Sequence, residues 1–268
     1  MRKLIGTFVV LLVLAAFTPF GQRILLHQIP AWVIRDGGFV NPPDQEVQVG
    51  ELTGYYFAPQ PGQPTMFFAH GNSSRHARQV QRLRPALDAG YGLYYVTYPG
   101  FDQNLQTEEE WGLQLFSEEG GKQAFIDHWA AYQALGGQAS ETILAAESLG
   151  TAMMPWFAST LPEGERPPLM VIMAGFDEFA RVSQSMTLGL AGEALLYDAY
   201  DNADVWEALT IPTFIANGDS DWVVDEGHGR RIERRTNAPT HFQLYEGYGH
   251  LDLPLGQAIL DAVAHFGL

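Results

Sequence analysis

Cysteine is absent from the 268-residue chain, and its absence excludes several kinds of chemistry. No disulfide, thiolate metal site or cysteine nucleophile can form. Because a chain without thiols suits an oxidising compartment and a reducing one equally, the redox environment stays open. Hydrophobic residues make up 46% of the sequence, which is enough to bury a sizeable core without covalent cross-links.

Basic residues are scarce. The chain has 15 lysines and arginines against 31 acidic residues, which gives a formal net charge of −16. Such a surface repels phosphate backbones and offers no basic patch to anionic lipid headgroups. We therefore expect no nucleic-acid partner. The length suits one large α/β domain better than two small ones.

The N-terminus differs in composition from the rest of the chain. Arg2 and Lys3 precede an apolar run that extends to Phe20, long for a signal-peptide core and just short of a comfortable membrane span. We predict that residues 1–21 form an uncleaved membrane anchor and that the rest of the chain lies outside the cytoplasm. A cleaved signal that leaves a secreted or periplasmic protein, or a soluble buried helix, are the alternatives.

After an amphipathic connector over residues 22–39, the pattern of an α/β domain covers residues 40–268. The predicted strands are 52–58, 65–69, 91–98, 142–146, 169–173, 211–216 and 241–245, and the predicted helices are 76–89, 109–135 with a break at Gly120-Gly121, 150–161, 226–235 and 255–266. This alternation predicts a mostly parallel central sheet with helices on both faces. Residues 175–209 fit it least well, and we predict that they form a small cap.

The segment Ala146-Glu147-Ser148-Leu149-Gly150 follows a predicted buried strand and opens a predicted helix. This is the setting of a nucleophile elbow, G-x-S-x-G, in which strand and helix nearly touch and small residues are needed. Ala146 replaces the first glycine and adds one methyl group. Ser148 is therefore a candidate nucleophile, and an ordinary helix N-cap serine is the alternative.

A second polar loop, His70-Gly71-Asn72, follows the predicted strand 65–69. In a fold with a nucleophile elbow, this loop supplies one backbone N–H of an oxyanion hole and the residue after the nucleophile supplies the other. The predicted donors are the amides of Asn72 and Leu149. We interpret His70 as a structural residue that braces the loop.

An acid and a histidine follow the last two predicted strands. Asp219 and Asp221 come after strand 211–216, and either could orient a histidine, although a pair of turn-forming aspartates is the alternative. His250 follows strand 241–245 on a glycine-containing loop. No His-Glu-x-x-His or comparable spacing occurs, so we expect no metal site.

The chain order Ser, Asp, His, each residue after a strand, resembles that of the α/β-hydrolase superfamily from about Val40 to the C-terminus. More narrowly, the apolar N-terminus and the His-Gly-Asn loop resemble membrane-anchored serine hydrolases, in which a Tyr-x-Gly-aromatic stretch matches Tyr98-Pro99-Gly100-Phe101. In that family the acid follows a glycine by three positions, which favours Asp221 after Gly218. The long stretch 102–120 departs from the family pattern.

This resemblance implies a serine hydrolase in which Ser148 attacks, His250 is the base and Asp221 orients it, with no cofactor. We expect it to cleave carboxylic esters or thioesters of a small-molecule or lipid-like acyl substrate. Candidate pocket residues are Phe101, Met153 and Trp222, although plain core residues are the alternative for such side chains. A peptidase or amidase on the same triad, another acyl-transfer enzyme and a non-catalytic binding protein are the rival functions.

Overall fold

A mixed sheet lies at the centre of the part of the chain that the computed structural model describes, which comprises residues 18–23, 39–72, 75–101, 116–186 and 196–268. Its strands are β1 (Gln45–Val49), β2 (Leu52–Phe57), β3 (Thr65–Ala69), β4 (Gly92–Val96), β5 (Thr142–Glu147), β6 (Leu169–Met173), β7 (Thr213–Gly218) and β8 (Thr240–Tyr245). They lie in the order β1-β2-β4-β3-β5-β6-β7-β8. Only β2 runs antiparallel to its neighbours β1 and β4, so the mostly parallel sheet is confirmed.

Helices connect most of the strands. In the described residues they are α1 (Pro19–Arg23), α2 (His76–Arg82), α3 (Arg84–Asp88), α4 (Glu118–Ala134), α5 (Met154–Thr160), α6 (Phe179–Met186), α7 (Ala203–Ala208), α8 (Glu226–Arg235) and α9 (Leu255–Phe266). Short 3-10 turns cover Ala139–Glu141, Ser148–Ala152 and Glu163–Glu165. None of the described helices is long and apolar enough to cross a membrane.

The hydrophobic core is divided between the two faces of the sheet, because side chains alternate along each strand. On one face Phe67 of β3 packs edge-on against Trp129 of α4, with 5.1 Å between the ring centroids. On the other face Phe68 belongs to a cluster that includes Ile259 of α9. The three neighbouring strands β4, β3 and β5 are buried along their whole length. Helices therefore cover both faces of the sheet, as predicted.

The parallel strands end at one edge of the sheet, and the loops after them meet there. β3 and β5 are neighbours in register, with Ala69 paired to Ala146, so the loop after β3 starts beside the one after β5. β7 and β8 are also paired, and Gly218 lies opposite Tyr245. This edge places the candidate residues of four separate loops within reach of one another.

Three helix predictions differ from the structure. The helix predicted over 150–161 is replaced by the 3-10 turn Ser148–Ala152 followed by α5 over Met154–Thr160. The helix predicted over 76–89 is divided at Leu83, because Pro85 has no N–H to donate to the carbonyl of Gln81. The break predicted at Gly120-Gly121 is wrong, since both glycines lie within the continuous helix α4. A Cβ at Gly121 would lie 2.3 Å from the sulfur of Met153, so this glycine serves close packing.

Strand β1 was not predicted from the sequence. Three of its five residues are exposed, and its letters QEVQV contain only two apolar side chains, which is typical of an edge strand. It forms a hairpin with β2 through Gly50, whose φ of 60° is a conformation that glycine adopts readily. The strand predicted over 211–216 is shifted to Thr213–Gly218, because Pro212 cannot join the ladder as a donor.

The predicted cap over 175–209 contains α6 and α7, and an isolated bridge pairs Glu178, just before α6, with Asp201, just before α7. Residues 187–195 of this segment and 102–115 of the long stretch lie outside the described residues, as do residues 1–17 of the predicted anchor. Helix α1, which overlaps the end of the predicted anchor, is hydrogen-bonded to the predicted cap segment. Its last residue, Arg23, donates to Asp198 with Nε–Oδ2 and Nη2–Oδ1 distances of 2.8 and 3.1 Å.

Candidate active site

Ser148 begins the 3-10 turn that follows β5, and its backbone has an uncommon conformation. Its φ is 47°, in the left-handed region that L-residues seldom adopt, and such strain clusters at functional sites. Two residues later the chain almost touches β3, and a Cβ at Gly150 would lie 2.4 Å from the carbonyl oxygen of Ala69. Ala146 is fully buried in β5, so its methyl group is accommodated in the core.

Ser148, His250 and Asp221 form one hydrogen-bonded chain. Ser148 Oγ lies 2.9 Å from His250 Nε2, and His250 Nδ1 lies 2.8 Å from Asp221 Oδ2. The other carboxylate oxygen, Asp221 Oδ1, accepts from the amides of Val223 and Val224 at 2.9 and 2.8 Å. These amides fix the carboxylate plane, so the acid can hold one imidazole tautomer with Nε2 free to accept from the serine.

Asp219, the other candidate for the orienting acid, has different hydrogen-bond partners from Asp221. It is exposed, and its Oδ1 accepts from the amide of Gly247 at 2.8 Å. The loops after β7 and β8 touch closely beside it, since a Cβ at Gly218 would lie 2.1 Å from the carbonyl oxygen of Tyr248. Asp219 therefore joins these two loops, whereas Asp221 contacts the histidine.

One candidate oxyanion donor, Asn72, belongs to the loop after β3, and the other, Leu149, directly follows Ser148 in the 3-10 turn after β5. Asn72 and Leu149 both line the cavity into which Ser148 opens. The loop after β3 can lie this close because residue 71 is a glycine, and a Cβ there would be 3.3 Å from the Cβ of Ser148. Asn72 and Leu149 thus line the same cavity as the nucleophile, as the donors of an oxyanion hole must.

His70 is fully buried below that loop. Its Nδ1 lies 2.6 Å from the carbonyl oxygen of Gly71, and Tyr98 donates its hydroxyl to the His70 carbonyl at 3.1 Å. Burial lowers the pKa of His70 to about 3, so the ring is neutral and Nδ1 is the donor to Gly71. These contacts agree with the bracing role predicted for His70.

A cavity of about 270 Å³ opens at Ser148. Its apolar wall includes two residues of α6, Phe179 and Val182, together with Phe176, which precedes that helix. These three residues were not predicted, although their spacing of three along the chain is an amphipathic helix signature that could have identified them. The wall therefore comes from the start of the predicted cap.

The three predicted pocket residues do not line this cavity. Phe101 is fully buried, with its ring centroid 5.4 Å from that of His70 and 5.2 Å from that of Phe116. Met153 is fully buried against α4, and Trp222 has 81% of its surface exposed. Phe101 and Met153 are thus core residues, because apolar side chains near a motif pack inward as readily as toward a cavity.

A buried polar network beneath the serine was also missed. Glu147, which precedes the nucleophile, accepts from Gln79 Nε2 at 2.7 Å and pairs with Arg82 at 2.5 Å. Arg82 also donates through Nη2 to the carbonyl of Leu253 at 2.9 Å. Gln79 in turn accepts from the hydroxyl of Tyr95. The network therefore links the elbow to α2 and to the chain just after His250.

Comparison with known proteins finds similarity in structure only. No protein-family model matches the chain, and no curated protein matches its sequence. The fold is similar to MGS-MChE2, an alpha/beta hydrolase enzyme from the metagenome of sediments of the Mar Chica lagoon in Morocco, with a TM-score of 0.58, 15% identity and coverage of 84% of this chain and 100% of that one.

Two further solved structures share the architecture. Dienelactone hydrolase from Anabaena variabilis has a TM-score of 0.54 and 16% identity over 82% of this chain and 95% of its own. Acylaminoacyl peptidase from Pyrococcus horikoshii has a TM-score of 0.60 and 13% identity over 85% of this chain and 41% of its own. At such identities the likeness is one of fold, and it confirms the α/β-hydrolase fold predicted from the sequence.

Proposed function

We propose that this protein is a serine hydrolase that cleaves carboxylic esters or thioesters through an acyl-enzyme. One observation carries the proposal. Ser148 Oγ lies 2.9 Å from His250 Nε2 while His250 Nδ1 lies 2.8 Å from Asp221, which is the spacing a nucleophile, base and orienting acid need. The φ of 47° at Ser148 supports it, because the strained turn presents Oγ to the cavity.

The reaction proceeds from this geometry in two halves. His250 accepts the proton of Ser148 as Oγ bonds to the acyl carbon, and the amides of Asn72 and Leu149 stabilise the negative charge on the carbonyl oxygen. His250 then gives the proton to the leaving alcohol or thiol as its bond to the acyl carbon breaks. Water, deprotonated by the same imidazole, releases the acid and restores Ser148. Asp221 stabilises the imidazolium in both halves.

The cavity supports an acyl substrate with a hydrocarbon part, since Phe176, Phe179 and Val182 form one wall of it. The same triad could cleave an amide, so leaving-group chemistry must be tested directly. The apolar run before residue 18 supports a membrane-anchored enzyme whose catalytic domain lies outside the cytoplasm. Protease protection of the chain in sealed vesicles checks this location.

The decisive experiment is labelling with a fluorophosphonate, which reacts with activated serines. We expect wild-type protein to be labelled and Ser148→Ala to be unlabelled. Ser220→Ala is the matched control, because Ser220 is an exposed serine near the site whose Oγ donates to the Asp219 side chain at 3.0 Å. A folded wild type that resists the probe, or a Ser148→Ala variant that still reacts, would refute the proposal.

A rate series on unlabelled wild-type enzyme identifies the substrate class. Hydrolysis of p-nitrophenyl esters of increasing chain length sizes the acyl site, and matched thioesters and p-nitroanilides compare the leaving groups. We expect kcat/KM for the esters or thioesters to exceed that for the anilides. A preference for anilides would identify an amidase or peptidase with the same triad.

A further inference from the structure

One wall of the cavity beside Ser148 is lined by three arginines, Arg75, Arg78 and Arg82. Arg75 is the N-cap residue of α2, and the other two lie within that helix. Their spacing of three and four residues places them along one side of the helix, one above another. The helix therefore presents a line of guanidinium groups to the space in which a substrate of Ser148 would lie.

The balance of charge along the described cavity wall is positive. Its only acidic residue among those described is Glu147, which pairs with Arg82 at 2.5 Å and is nearly fully buried. Among the described lining residues, three side chains are thus positively charged and one is negatively charged. The chain as a whole has 31 acidic and 15 basic residues, so this wall has the opposite sign to the protein around it. Such a local reversal points to an anionic ligand.

A second wall of the cavity is apolar and is formed by Phe176, Phe179 and Val182. A ligand that satisfies both walls has an apolar portion and a negatively charged group. Planar guanidinium groups match the two oxygens of a carboxylate, which they bind more strongly than neutral acceptors. A neutral triglyceride or simple fatty ester would leave the arginines without this contribution.

We propose that the substrate is an ester or thioester that carries a carboxylate, and that Arg75 and Arg78 bind this carboxylate while Ser148 attacks the acyl carbon. This inference rests on the proposed hydrolase function and narrows its substrate class. Arg82 is held by Glu147 and the Leu253 carbonyl, so it supports the wall rather than binding the substrate.

The test compares two p-nitrophenyl esters of equal chain length, the octanoate and the monoester of suberic acid, which differ in a terminal carboxylate. We expect wild-type kcat/KM to favour the suberate monoester at least tenfold. The double variant Arg75→Gln/Arg78→Gln should lower the suberate-to-octanoate ratio about tenfold. Arg230→Gln is the matched control, since Arg230 is an exposed arginine of α8 paired with Glu226.

A second pair of substrates, 4-acetoxybenzoate and phenyl acetate, places the carboxylate on the leaving group instead. The pair that shows the larger preference assigns the arginines to the acyl side or to the leaving-group side. The proposal is overturned if neither pair favours the charged ester in wild type, or if the double variant keeps the wild-type ratios.

Failure of the hydrolase function is distinguishable from failure of this inference. If wild type neither reacts with the fluorophosphonate nor cleaves any ester, calorimetric titration of Ser148→Ala with the two intact eight-carbon esters still measures the arginine wall. The carboxylate site would be supported if the suberate monoester binds more tightly than the octanoate ester and if the Arg75→Gln/Arg78→Gln changes abolish this difference. Equal binding of both esters would overturn it.

Discussion

His250 and Asp221 form the bond on which the candidate chemistry depends, and changing one atom of it should be sufficient to disable the site. In Asp221→Asn, Oδ1 can still accept from Val223 and Val224, but an NH₂ group facing His250 Nδ1 favours the wrong imidazole tautomer. We expect kcat for the best ester to fall by about 10³ to 10⁴-fold, as such changes do in serine hydrolases, with little loss of stability. Steady-state kinetics and thermal unfolding measure both.

Asp219→Asn is the matched control, because Asp219 lies on the same loop and contacts Gly247 rather than the histidine. We expect its kcat to remain within about tenfold of wild type, since it touches no reacting atom. Equal losses in the two variants would mean that the loop as a whole, and not the acid at Asp221, supports activity.

Residues that act through a local motif are the ones that the sequence reveals. Ser148, Asp221 and His250 each stand in a short pattern after a strand, and the structure brings all three together. Glu147 and Arg82 have no such pattern, because the pairing of residues 65 positions apart depends on the folded chain alone. Local spacing also cannot distinguish a core side chain from a cavity wall, as Phe101 demonstrates.

Elements buried on both faces are predicted best. The bounds of β3 and β6 agree with the sequence prediction, since each is a short, uninterrupted apolar run. The bounds of α9 agree because apolar residues recur along it at helical spacing. The bounds of α8 also agree, although Ile232 is its one aliphatic residue; its ends carry the helix signals of an N-cap Asp225 and two arginines in the last turn. Edge strand β1 and the start of α4 were not predicted, because solvent-facing residues and glycines that permit close packing give no clear periodicity.

The turn that holds Ser148 packs so closely against strand β3 that one added methyl group should disrupt the contact. In Gly150→Ala the new Cβ would meet the carbonyl oxygen of Ala69 at 2.4 Å, so the turn must move away from β3. We expect a loss of about 1 to 3 kcal/mol in the free energy of unfolding. The accompanying shift of Ser148 should lower kcat about 100-fold.

Gly164→Ala provides the comparison for Gly150→Ala. Nothing lies within 4 Å of a Cβ built at Gly164, and its φ is not in the left-handed region. We expect its unfolding free energy to stay within about 0.5 kcal/mol of wild type. Urea denaturation monitored by circular dichroism tests both variants, and similar values for the two would contradict the close contact at Gly150.

The ion pair of Glu147 and Arg82 joins β5 to α2, and Arg82 also donates to the Leu253 carbonyl in the segment after His250. Arg82→Met should leave a buried carboxylate without its cation and reduce the free energy of unfolding by about 3 to 5 kcal/mol. Adding Glu147→Gln should recover much of this loss, because the amide needs no counter-charge. A double-mutant cycle measured by urea denaturation checks the coupling, and additive losses would contradict it.

Buried histidines make the whole molecule sensitive to acid. Burial lowers the pKa of His70 and His128 from about 6.5 to about 3 in the folded state. Below pH 6.5 these two histidines bind protons in the unfolded chain but not in the folded chain. The folded state therefore has its full stability above pH 6.5, and its free energy of unfolding decreases as the pH falls toward 3. At pH 5 each histidine should reduce the free energy of unfolding by about 2 kcal/mol.

Urea denaturation between pH 7.5 and 5 measures this slope. We expect His128→Gln to unfold with a shallower pH dependence than wild type, whatever its stability at neutral pH. His265→Gln, which removes an exposed histidine of α9, is the matched control. A His128→Gln slope equal to that of wild type would show that folding does not lower the pKa of His128.

The wide spacing of the three candidate residues has a consequence for synthesis. Ser148 precedes His250 by 102 residues, and the last strand and its loop must be in place before the histidine can reach the serine. At ribosomal rates of about 5 to 20 residues per second, the nucleophile emerges roughly 5 to 20 s before its base. A nascent or prematurely terminated chain therefore has an unactivated serine, and acyl compounds near the ribosome are safe from it until translation is almost complete.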